Sequence, residues 1–115
     1  MSLDALKTID IIELMENFID KIRPDEDMRN QLDISYKIEG QSILIIEIRP
    51  FFKDPNQKIE SPIAKTTFIK AKNQWKVFWM RGNLKWYSYE PKPIVRTLKE
   101  FTELVKKDEY HCFWG

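Results

Sequence analysis

Gly82-Asn83 stands between two runs of alternating aromatic residues, Q-W-K-V-F-W-M-R (74–81) and L-K-W-Y-S-Y-E (84–90). A two-residue Gly/Asn turn between such runs is a strong β-hairpin signal, because those residues readily reach the positive φ of a tight turn. With a two-residue loop, Arg81 opposes Leu84, Trp79 opposes Trp86 and Phe78 opposes Tyr87. Alternation also puts rings on both faces of the strand 74–81, so one set of rings belongs to a core.

Three further runs read as strands. Leu32, Ile34, Tyr36 and Ile38 share one face of the run 32–38. Leu44, Ile46 and Ile48 share one face of 42–49, and Ile43, Ile45, Glu47 and Arg49 the other. A loop Glu39-Gly40-Gln41 would place Tyr36 opposite Leu44 and Ile34 opposite Ile46; a two-residue turn would flip that pairing. The third run is 63–71, joined to the strand 74–81 near Lys72-Asn73. Residues 50–60 read as one long loop, because Pro50 and Pro55 interrupt pairing and Asp54-Pro55-Asn56 is turn chemistry. Phe51 and Phe52 are expected to tuck under the sheet edge.

Helical periodicity frames the strands. Leu3, Leu6, Ile11, Leu14, Met15, Phe18, Ile19 and Ile22 recur at helical spacing, with Ser2 a suitable cap and Pro24 ending the run. A short helical turn is predicted from Pro24 toward Asn30. Thr97-Leu98-Lys99-Glu100 is a capping box opening a second helix with Leu98, Phe101, Leu104 and Val105 inward. The tail from Tyr110 to Gly115 is aromatic and is expected to dock on the body. Together these predict one α+β domain over residues 1–115: an N-terminal helix, a five-stranded antiparallel meander and a C-terminal helix, with the helices mainly on one sheet face.

The charge map is uneven. Residues 65–96 hold eight basic residues and one acidic residue, whereas residues 1–64 hold eight basic and thirteen acidic. The sheet therefore has a basic, aromatic half balanced by an acidic helix. A single cysteine, Cys112, excludes an internal disulfide. No apolar run is long enough to span a membrane, and no signal peptide is visible. A cytoplasmic protein without a membrane partner is expected.

Motifs of catalysis and metal binding are missing. His111 and Cys112 are adjacent, which places their side chains apart in an extended segment, and there is no C-x-x-C or H-x-x-x-H spacing. Three glycines leave no phosphate loop. No metal, cofactor or catalytic residue is assigned, and the reading leans away from an enzyme. Two candidate surfaces remain. Glu47, Arg49, Glu60 and Lys65 could form a polar site beside the long loop, fit for a small anion or a reaction, or serve as ion pairs pinning that loop. The aromatic half offers Lys76, Trp79, Arg81, Lys85 and Trp86. Rings interleaved with lysine can stack bases and track phosphates, so Lys70, Lys76, Lys85, Trp79, Trp86, Tyr87 and Tyr89 are also the candidates for single-stranded nucleic acid.

Several runs taken together resemble a known bacterial family. E-I-R-P (47–50), E-S-P-I-A-K (60–65), W-K-V-F-W-M-R (75–81), L-K-W-Y-S-Y-E-P (84–91) and the terminal C-F-W-G look like the family named domain of unknown function 3024. The resemblance implies a small cytoplasmic bacterial protein and carries over no activity, substrate or cofactor. It marks Glu47, Arg49, Glu60, Lys65, Trp79, Arg81, Lys85 and Trp86 as pattern positions. The leading expectation is a non-enzymatic interaction module using the aromatic, basic sheet face, with a homodimer as one form. The rival is the Glu47/Arg49/Glu60/Lys65 site, and the third reading is single-stranded nucleic acid, which the acidic helix argues against.

Overall fold

The computed structural model describes residues 5–114, with side chains from Lys7 onward. The expected cap at Ser2, the side chains of Leu3 and Leu6, and Gly115 lie outside those described residues. Helix α1 (Ala5–Ile22) turns Ile11, Met15, Phe18 and Ile19 inward. Their spacing lays them along one stripe, and burying each contributes about 1.5–3 kcal/mol relative to exposure. Pro24 disfavours helical geometry at Arg23, so α1 stops there. One 3₁₀ turn follows at Glu26–Met28. It starts later than the run from Pro24 suggested, because Asp25 takes an extended conformation (φ −56°, ψ 151°) and is itself the residue before the turn.

The strands β1 (Asp33–Glu39), β2 (Ser42–Phe51), β3 (Asp54–Ile69), β4 (Gln74–Met80) and β5 (Trp86–Ser88) are antiparallel neighbours in chain order. A sixth strand not foreseen from sequence, β6 (Ile94–Val95), pairs with β4 at Trp75 and Lys76. Helix α2 (Leu98–Lys107) closes the α+β fold, and Thr97 Oγ1 accepts the Glu100 amide at 3.2 Å as the capping motif requires.

Three local expectations are corrected by the register. The β1–β2 turn is the two-residue form, closing at Glu39 and Ser42 around Gly40-Gln41 with Gly40 at φ +60°. Tyr36 therefore faces Ile45 and Ile34 faces Glu47, not Leu44 and Ile46. Residues 50–60 are not a loop. β2 and β3 continue as a two-stranded ribbon, pairing Arg49 with Ile59 and Pro50 with Lys58, and turning at Phe52-Lys53. A proline breaks only the hydrogen bonds its own nitrogen would make, so an edge segment tolerates it. Phe52 is 83% exposed at the ribbon tip, in edge contact with Phe51 at 5.3 Å, and so is not tucked under the sheet.

The aromatic hairpin is shifted by one residue. Met80 pairs with Trp86, Trp79 with Tyr87, and Phe78 with Ser88. The loop has three residues, Gly82-Asn83-Leu84, because Leu84 takes the left-handed conformation (φ 62°) while its amide donates to Arg81 O at 2.9 Å. A turn followed by a left-handed residue is the usual three-residue hairpin loop. Lys85 then closes the pair, its carbonyl accepting the Arg81 amide at 3.1 Å.

A bulge between Ile45 and Ile46 leaves Ile63 as the extra residue beside Pro62. On the helix side of the sheet, the row Tyr36, Ile45, Ala64, Trp79, Tyr87 runs across all five meander strands. That side and the buried residues of both helices form one core with Ile43, Phe68, Trp75, Val77, Tyr89 and Phe101. The tail docks on it. Asp108 ends α2 in a left-handed conformation (φ 44°), and its buried carboxylate accepts the amides of Phe113 and Trp114 at 3.0 Å each. Trp114 Nε1 donates to Val105 O at 2.8 Å, and Phe113 lies 4.8 Å from the Tyr89 ring.

Candidate interaction surface on the sheet face away from the helices

Cross-strand partners share a face, so the register also fixes the opposite side of the sheet. One row there reads Lys37, Leu44, Lys65, Phe78, Ser88 across β1 to β5. The next reads Glu39, Ser42, Thr67, Lys76, with Ser42 Oγ 2.7 Å from Thr67 Oγ1. Met80 and Trp86 extend the strip beyond Phe78. Leu44 (9% exposed) and Ile46 (3%) are buried on this side, outside the helix-side core.

Lys65 organises the strip. Its Nζ lies 4.9 Å from the ring centroids of both Phe78 and Trp86. Both rings are half-buried, as is Met80. Ring faces attract the ammonium, while burial pushes its pKa down from the ordinary 10.5 and the Glu39 carboxylate partly offsets that. The helix side of the hairpin repeats the pattern. Arg81 stacks over Tyr87 at 4.8 Å and over Trp79 at 5.5 Å. Each face of the hairpin thus carries two rings capped by one basic side chain.

The predicted candidates separate accordingly. Trp79 and Trp86 lie on opposite faces instead of facing each other. Tyr89 is buried against Phe113, and Tyr87 belongs to the helix side. Of the rings considered for base stacking, only Trp86 is left on the outer face. Lys76 is exposed on that face, Lys85 is exposed at the hairpin tip, and Lys70 lies in the 3₁₀ turn after β3. The basic surplus is spread over the outer face (Lys65, Lys76), the β3–β4 turn (Lys70, Lys72), the hairpin tip (Arg81, Lys85) and the segment before α2 (Lys92, Arg96).

The four-residue polar cluster is also divided. Glu47 and Arg49 point to the helix side, where Arg49 Nη2 donates to Glu47 Oε2 at 2.8 Å. Glu60 lies on the other face and is ion-paired with Lys37. Lys65 is with the rings. Among the described residues no group of three or more His, Cys, Asp or Glu side chains could hold a metal. Burial pushes the Cys112 thiol pKa up, which disfavours the thiolate a nucleophile needs. No described helix is long and apolar enough to cross a membrane.

Sequence reasoning missed the role of Lys65 and its partner Phe78. A signal was available, because Ala64, Thr66 and Phe68 alternate inward and oblige Lys65 to point outward. It also missed Asp108, whose carboxylate holds the aromatic tail.

The chain belongs to the family described as Domain of unknown function (DUF3024), which matches residues 3–115. No curated protein and no solved structure matches it.

Proposed function

We propose that this member of the family is a non-enzymatic interaction module whose contact surface is the outer strip Phe78, Met80 and Trp86, bordered by Lys65 and Lys76. The observation that carries the reading is the Lys65 ammonium held over two half-buried rings, on the side of the sheet that neither helix's buried stripe faces. Rings fixed in a strand lose little conformational freedom on binding, which is why aromatic anchors dominate contact energies. The outer strip supplies two such rings and one flexible methionine. The module is the whole chain, as one unit. A cytoplasmic setting accords with its single, unpaired cysteine.

The rivals have less support. A small-anion site or enzyme would need Glu47, Arg49, Glu60 and Lys65 to converge, yet two pairs of them face opposite ways. A nucleic-acid platform would need several rings and phosphate-binding cations on one face, yet Glu39 and Glu60 share the outer face with Lys65 and Lys76.

A peptide-display selection on the immobilised protein tests the reading. Enriched peptides are expected to lose binding to Phe78→Ala and Trp86→Ala while keeping binding to Glu13→Ala on the exposed side of α1. Enrichment insensitive to Phe78 and Trp86 would overturn it. A protein that self-associates through the strip would show the same two substitutions lowering its sedimentation coefficient.

A further inference from the structure

The ribbon of β2 and β3 has an open edge. β4 pairs with β3 only from Ala64 to Ile69; among the described residues, β3 from Lys58 to Pro62 pairs with β2 alone, and residues 55–57, in the irregular stretch between Asp54 and Lys58, pair with neither. Residues 55–61 are all exposed. An unpaired edge is a template for another strand, and its usable length is set by where main-chain donors run out. At one end Pro62 has no N–H. At the other the Asn56 amide already donates to Asp54 Oδ1 at 3.1 Å. The window between these stops is Gln57-Lys58-Ile59-Glu60-Ser61, centred on Ile59.

From this geometry we infer that two copies of the chain pair antiparallel through this window, with the two-fold axis at Ile59. The side-chain sequence is complementary to itself about that point. Lys58 stands opposite Glu60 of the partner subunit, twice. Gln57 stands opposite Ser61 of the partner subunit, also twice. Ile59, a strand aliphatic that is 44% exposed, meets its own symmetry mate. A two-fold interface must be self-complementary in this way, and opposite charges in directly facing strand positions stabilise the pair. An axis one residue away, at Lys58 or at Glu60, would set like charges face to face. Pairing joins two ribbons into a continuous sheet and leaves the outer strip around Trp86 uncovered, so this edge is a surface distinct from the one proposed above.

A charge-exchange experiment tests it. Sedimentation velocity of the wild-type chain, 13.9 kDa as a monomer, is expected to show a concentration-dependent shift toward twice that mass. Lys58→Glu and Glu60→Lys each place like charges across the axis and are expected to sediment as monomers. Mixing the two single variants restores both attractive pairs and is expected to restore the dimer, as is the double exchange in one chain. Lys58 also bonds Asn30 O and Glu60 bonds Lys37, so thermal melts check that each variant stays folded. Trp86→Ala is expected to leave the dimer intact. A wild-type monomer at every concentration, or a dimer indifferent to the single exchanges, would overturn the inference.

Discussion

Lys65 Nζ stands 4.9 Å from the ring centroid of Trp86, two strands away, and as far from Phe78, its direct neighbour on β4. The attraction of an ammonium for a ring is worth about 0.5–2 kcal/mol, and desolvating the charge opposes it. Lys65→Met keeps an unbranched chain over the rings and removes both effects, so its stability is expected within about 1 kcal/mol of wild type. Lys65→Glu sets a carboxylate against two ring faces near Glu39 and is expected to destabilise by about 1–3 kcal/mol. Urea melts of the two variants check the difference.

Leu84, and not Gly82, occupies the left-handed position of the hairpin loop, and Leu84 is 80% exposed. That conformation costs a residue with a Cβ about 1–2 kcal/mol, against about 0.4–1 kcal/mol for the extra freedom glycine has when unfolded. Leu84→Gly is therefore expected to raise stability by up to about 1 kcal/mol. A Cβ at Gly82 meets nothing within 4 Å, and Gly82→Ala is expected to be neutral or slightly stabilising. Thermal melts in which Gly82→Ala proves the damaging change would contradict the loop geometry.

Much of the fold was legible because alternation and capping are local. The β1 and β2 faces, the Thr97 cap, the stop at Pro24 and the docked tail follow from residue type and spacing. Register was not, since it depends on which residue accepts a positive φ. Gly82-Asn83 looked like a two-residue turn, but Leu84 bears the positive φ, and that single shift moved Trp86 to the other face from Trp79. Pro50 and Pro55 weigh against pairing in isolation, which makes the ribbon look like a loop; Pro50 sits where β2 pairs with β3 alone, and Pro55 sits in the irregular stretch between Asp54 and Lys58. The polar cluster failed for a related reason. Strand alternation separates Glu47 from Glu60, and only the pairing of Ile48 with Glu60 reveals it.

Asp108 ties the aromatic tail to α2 through two amides, at Phe113 and Trp114. Hydrogen bonds to a charged acceptor are worth about 1.5–3 kcal/mol each, but the two share one carboxylate and are not additive. Asp108→Ala is expected to cost about 2–4 kcal/mol and to raise the solvent exposure of Trp114. Denaturant melts followed by tryptophan emission check both effects.

Stability is expected to fall at both extremes of pH for identifiable reasons. Arg23 bonds Asp33 through Nε at 2.6 Å and Nη2 at 2.7 Å, and this holds the Asp33 carboxyl below its ordinary 3.8. The contribution is complete above that ordinary value and is lost as pH falls through the lower folded value. Asp33→Asn should flatten this acid limb. Burial and the 3.0 Å bond to Glu16 push Tyr36 up to about 12 from 10. The folded state then resists losing a proton that the unfolded chain gives up, so stability falls between about pH 10 and 12. Tyr36→Phe should remove that part of the alkaline limb in a melting series across pH.

Mixed with a single-stranded oligonucleotide at about 50 mM salt, the protein is expected to show no binding, because acidic Glu39 and Glu60 accompany the lysines of the outer face. Tight binding that weakens steeply with added salt would revive the nucleic-acid reading.

The outer strip is the proposed working surface. The most direct measurement is a methyl and indole NMR titration of the labelled protein with the peptide that display selects. The Met80 methyl and the Trp86 indole are expected to shift together, with Met15 and Trp114 unmoved. Shifts confined to Met15, Trp114 and the helices, with Met80 and Trp86 silent, would contradict it.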